Sequence, residues 1–150
     1  MKTLQEIFDQ SLYGVRLQGL PSHEDHKVET CKYRSVGADG KVLKCGVGHL
    51  IPDDGYHRQF DDAQNPEGKE HITGTSVSVL LRQSPLFNAA LQGAGINTLD
   101  SKVKKLLGGL QTAHDYAAKS KSFLTEFETR MSSLALHSKL TYHAPSNITI

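Results

Sequence analysis

Three stretches of this chain carry apolar residues at the spacing of about 3.6 that marks one face of a helix, and each is bounded by residues that start or stop helices. In the first, Leu4, Ile7, Phe8, Leu12 and Val15 follow Thr3 and Glu6, a pair that forms a capping box for the open amides of a first turn. Gly19 then offers a left-handed end and Pro21 a stop. In the second, from about Asp100 to Ala118, Val103, Leu106, Leu107, Leu110, His114 and Ala117 form one stripe, with Gly108 and Gly109 either weakening it or permitting close packing. The third begins at Ser122 as cap and carries Phe123, Leu124, Phe127, Met131, Leu134 and Ala135, the clearest apolar face of the chain. Two shorter helices are expected between them, one capped by Thr75 and running to Gln83, the other restarting at Ser84 and Pro85 and running to about Gln92.

The remainder is less regular. Leu20 to Thr30 is polar and is expected to be a loop. Cys31 to Val36 and Lys41 to Lys44 flank Asp39 and Gly40, a pair suited to a tight hairpin turn. If those two residues form the turn, opposing positions sum to 79, which sets Cys45 against Arg34 and leaves Cys31 on the other face. Cys45 to Ile51 is expected to form a short buried helical turn, because Val47, Leu50 and Ile51 share a face, and Pro52 ends it. From Pro52 to Gly74 the chain is rich in Asp, Gly, Asn and Pro, with Tyr56, Phe60 and Ile72 as its anchors; a loop of such length is often functional. The expectation is one α+β domain over 1–150, mainly helical, with four to five helices around one core, a small β-hairpin, and a loosely held tail at 143–150.

Charge narrows the function classes. Seventeen Lys and Arg stand against sixteen Asp and Glu, a net charge of +1, so the chain as a whole lacks the attraction on which generic phosphate binders rely. The halves differ: residues 1–75 carry 9 basic and 12 acidic groups, residues 76–150 carry 8 and 4, and the two should attract. Lys102, Lys104, Lys105, Lys119 and Lys121 read first as solvated faces, with an anion or nucleic-acid surface as the alternative. No apolar run reaches about 18 residues, and Lys2, Glu6 and Asp9 interrupt the start, so neither a membrane span nor a secretory leader is expected. That makes the cytoplasm the expected location, with Cys31 and Cys45 as unpaired thiols.

The segment Cys31, Tyr33, Arg34, then Gly40, Lys44, Cys45, Val47, Gly48, Leu50, Ile51, Pro52, Asp53 and Tyr56 resembles a group of short phage and prophage proteins of unassigned function. Their shared signature runs C-x-Y-R, a gap, K-C-A-V-G-x-L-I-P-D and a Tyr. Glu67 with Gly68, Leu110 with Gln111, and His114 with Asp115 extend the likeness over most of the chain outside about His71 to Asp100. Gly46 stands where that pattern has Ala, and His49 where many such sequences carry another residue, often Cys. The resemblance implies a phage-type origin and a setting inside the host cell; it carries no reaction.

Three constellations carry chemistry. Cys45 and His49 are four apart, with Cys31 nearby and His23 or His26 in the preceding loop, a set of ligand types that suits zinc; the alternative makes both cysteines small buried hydrophobes. Cys45 as a nucleophile with His114 as base and Asp115 as orienter is a second arrangement. It is geometrically unattractive, because neighbours on one helix point about 100° apart. In that case His114 packs on the apolar stripe with one nitrogen bonded to a backbone carbonyl or to Tyr33. The third places Tyr33, Arg34, Asp53, Tyr56 and Glu67 on a recognition surface, against a structural alternative in which the Arg34 fork clamps a carboxylate of its own chain. No Walker-type loop is present, and His71 with Thr73 is a single H-x-T where a two-histidine phosphodiesterase needs two. The expected function is therefore a non-catalytic accessory protein that binds a host or phage protein through the hairpin and long loop, without a cofactor. A small zinc- or cysteine-dependent enzyme and a nucleotide or nucleic-acid binder are the alternatives.

Overall fold

A computed structural model describes residues 1–24, 27–61 and 76–146. Five α-helices account for most of it: α1 at Leu4–Gln18, α2 at Val77–Gln83, α3 at Pro85–Gly93, α4 at Ser101–Ala117 and α5 at Phe123–Ser138. The expected α+β, mainly helical architecture is what the chain adopts. The ends of α1 form as its sequence dictates. The Thr3 hydroxyl accepts the Glu6 amide at 3.1 Å, the Glu6 carboxylate takes the Thr3 amide at 3.0 Å, and Gly19 closes the helix at φ 77°. Two helix starts differ in detail from expectation. Ser76 rather than Thr75 caps α2, Thr75 lying outside the described residues, and the Ser122 hydroxyl makes no capping bond to α5.

Among the described residues four strands form two antiparallel pairs: β1 (His23–Glu24) with β2 (Lys27–Cys31), and β3 (Arg34–Val36) with β4 (Val42–Lys44). The first pair corrects the expectation of an irregular loop over 20–30; periodicity is weak in strands this short and polar, so the sequence carries no signal for their backbone pairing. The second pair is the expected hairpin in a different register. Arg34 faces Lys44 and Val36 faces Val42, and the Gly37 amide bonds the Lys41 carbonyl at 2.8 Å. The loop therefore has three residues rather than two, with Gly40 at φ 81° in the left-handed position such loops need. Opposing positions sum to 78, and Cys45 meets Tyr33, whose carbonyl accepts the Cys45 amide at 3.3 Å.

Three 3₁₀ turns follow, at Gly48–Leu50, Asp53–Gly55 and Arg58–Phe60. The first is the expected buried turn; it packs on α1 with Val47, Leu50 and Ile51 all inside. The core continues through Phe8, Leu12, Leu107, Leu110, Phe127 and Met131, where α4 packs on α1 and α5. Phe60 and Phe87 meet edge to face at 5.2 Å and seal the long loop against α3.

Arg16 of α1 makes two 2.7 Å bonds to Glu128 of α5 and a third to the His143 carbonyl, also 2.7 Å. The charge asymmetry predicts acids of the first half meeting bases of the second; among the described residues this cross-half pair has the reverse polarity. Of the expected tail, residues 143–146 are described and 147–150 are not. No described helix is long and apolar enough to cross a membrane.

Candidate functional site

The hairpin and the loop after Pro52 do come together, and the group that joins them is one the sequence did not single out. Asp61 is buried and accepts the Tyr33 amide at 2.7 Å, the Arg34 amide at 3.2 Å and the Tyr56 hydroxyl. Burial raises its carboxyl above the usual range, with those three bonds pulling the other way. Only its place directly after the core residue Phe60 separates Asp61 from the solvent-facing Asp53 and Asp54, and that is no usable signal in a loop crowded with acids.

The predicted recognition residues are arranged around that carboxylate. Arg34 donates to Asp53 at 2.6 Å and lays its guanidinium over the Tyr56 ring, 4.5 Å from its centre. Lys44 reaches the same Asp53 oxygen at 3.2 Å; its hydrogen bond and charge, with Arg34 adding to them, hold the Asp53 carboxyl below the ordinary range. This is the structural alternative of a fork closed on the chain's own carboxylate. Tyr33 corrects the surface expectation outright. It is 2 % exposed, its ring meets Phe87 edge to face, and its hydroxyl accepts from Gln111 at 3.0 Å. Glu67 lies outside the described residues.

Cys45 is fully enclosed, its sulfur accepting the Gly48 amide at 3.3 Å, and burial holds its thiol well above the usual range. It precedes a 3₁₀ turn instead of opening an α-helix, so it lacks the summed dipole that would favour a thiolate. His49 sits in a notch of α1 that exists because residue 14 is glycine: a Cβ there would lie 2.6 Å from the imidazole. Desolvation holds the His49 ring down at about 4, and its buried Nε2 meets no hydrogen-bonding group among the described residues. Among those residues Cys31, Cys45 and His49, the alternative zinc set, do not converge on a common point; His26 lies outside the described residues.

Cys31, His114 and Asp115 converge instead, with ligating atoms within 4.8 Å of one another. Asp115 does hold His114, its carboxylate folding back to Nδ1 at 2.9 Å, but the pair converges with Cys31 and not with Cys45, in line with the expectation that it does not serve a Cys45 triad. The other ring nitrogen, Nε2, accepts the Ser22 amide at 2.9 Å, so the ring carries its proton on Nδ1 and donates it to Asp115. His114 is wholly buried, as the apolar-stripe reading has it, but its partners are this amide and this carboxylate. Burial first, and then Asp115, push the Cys31 thiol up to about 12. The thiol and the imidazole N–H thus share one carboxylate, and the imidazole lone pair that a general base needs is already taken. Zinc at this point would require a thiolate and a bare Nδ1; the imidazole proton would then lie on Nε2, facing the Ser22 N–H donor to donor. As arranged, the cluster clasps the end of β2 and the approach to β1 onto α4.

No protein-family model, curated protein or solved structure matches the chain.

Proposed function

We propose that this chain is a non-catalytic accessory protein of phage or prophage type that acts in the host cell by binding a host or viral protein. The observation that carries the reading is an exposed apolar surface beside the hairpin. Tyr13 and Leu17 lie one turn apart on the outer side of α1, and Leu20 follows just past its Gly19 end; Leu17 is 91 % exposed and Leu20 55 %. The Gln18 side chain ties this end of α1 to β4, bonding both the amide (2.8 Å) and the carbonyl (3.0 Å) of Lys44. The facing pair Val36 and Val42 on the hairpin is exposed as well. Exposed aliphatic groups gathered on a rigid scaffold favour a protein partner, since they offer a phosphate backbone nothing.

The reading keeps the hairpin as part of the contact and moves its centre from Tyr33, Arg34 and Tyr56, which bond inward, to the outer side of α1. It also agrees with the buried thiols and the committed His114 lone pair, which serve packing. A photo-crosslinking residue placed at Leu17 or Val42 should yield discrete protein adducts in host cells, and Leu20→Asp should abolish them. The same adducts from a probe at Lys121, or none from either site, would overturn the proposal.

A further inference from the structure

A second feature lies where the start of α4, the end of α5 and the beginning of α1 meet: a cavity of about 580 Å³, within the range of small-molecule sites. Leu4, Leu106, Leu134 and Leu140 give it an aliphatic floor, His137 and Ser138 add polar groups, and the exposed Lys102, Lys105 and Lys139 stand at its rim; the lining includes no carboxylate. Leu134 closes against α4 only because residue 109 is glycine; a Cβ there would lie 2.5 Å from it.

Two of the lysines are placed against local electrostatics. Lys102 and Lys105 fall in the first turns of α4, where a helix favours negative charge, and the first turn holds no acid. The N-cap carboxylate of Asp100 accepts the Lys102 and Val103 amides at 2.7 and 3.3 Å, and neither ammonium has an ion pair among the described residues. Lys139 holds φ 58°, the only non-glycine residue among the described residues in the left-handed region. Helices usually give that position to glycine, so keeping a lysine there costs stability and retains a charge at the cavity.

We propose that this cavity binds a small amphiphilic anion, an unbranched aliphatic carboxylate whose chain lies along the leucines and whose head meets Lys102, Lys105 and Lys139. An aliphatic wall with unmatched cations and no acid fits that chemistry; an alcohol leaves the lysines unpaired, and an alkylammonium repels them.

The test is amide NMR of the whole chain titrated with decanoate, decanol, decyltrimethylammonium and acetate below micellar concentrations. Decanoate should give saturable shifts confined to 3–6, 102–109 and 134–140, decanol should bind about tenfold more weakly, and the other two should not bind. Lys102→Gln with Lys105→Gln should weaken decanoate about tenfold and leave decanol unchanged. Lys139→Gly should weaken decanoate without lowering the thermal midpoint. Equal affinity for decanoate and decanol, shifts elsewhere, absence of saturation, or binding of an acidic amphipathic peptide in place of decanoate would each overturn the assignment. The α1 crosslinks are read on another face, so either proposal can fail alone.

Discussion

Replacing His49 with Phe should remove a measurable part of the chain's sensitivity to mild acid. The ring sits in the Gly14 notch with Nε2 buried and without a partner among the described residues, and desolvation takes it from an ordinary 6.5 to about 4. A histidine whose folded value is depressed contributes stability that is complete above its unfolded value and is lost as pH falls toward the folded one. The window therefore runs from pH 6.5 down to about 4. Linkage over that gap removes about 2 kcal/mol by pH 5, and partial exposure of the ring trims this to between about 1 and 2 kcal/mol. Phe removes the titrating nitrogen, and because its ring is larger than imidazole in so tight a notch it should cost about 1–3 kcal/mol at every pH, so the pH dependence of the difference carries the test. The assay is urea unfolding of both proteins at intervals from pH 7.5 to 5, followed by circular dichroism. The parent's stability should fall relative to His49→Phe by the linkage amount. Curves that stay parallel would show that His49 is not held neutral by burial, and the account of the notch would be wrong.

Two other perturbations probe the interior. Gly48→Ala would drive a methyl to 2.0 Å from the Tyr33 carbonyl and should cost at least about 3 kcal/mol in urea unfolding, while Gly46→Ala meets the Leu110 carbonyl at 2.7 Å and should cost about 1–3 kcal/mol. Unchanged midpoints would refute the close approach of this turn to β3 and α4. Both thiols are buried and held protonated, so a disulfide-exchange reagent at pH 8 should titrate neither in the folded chain and both in denaturant. Fast labelling of Cys45 in the native state would revive it as a nucleophile.

Helix positions were legible because they rest on local chemistry: the Thr3 and Glu6 box, the Gly19 and Pro21 stop, and the stripes through Leu107 and Phe127. The hairpin was legible in kind but not in register. Gly40 announces a turn, yet whether two or three residues form it depends on the Gly37 to Lys41 bond, and that difference moved Cys45 from Arg34 to Tyr33. The strands at 23–24 and 27–31 carried no periodic signal. The Arg34 clamp on Asp53 is legible as one of two uses of that guanidinium, since it and a carboxylate attract wherever the chain lets them meet.

The chain's own letters thus settled what short-range forces decide: which segments are helical, where they start and stop, and which face of each is apolar. Tertiary packing alone decided which polar groups meet. Asp61 rather than Asp53 or Asp54 became the buried anchor because Phe60 carries it inward. His114 and Asp115 gained Cys31 and the Ser22 amide rather than Cys45 because α4 happens to pass under the end of β2. Such pairings join residues tens of positions apart, and their desolvation depends on every surrounding side chain, so no local pattern encodes them.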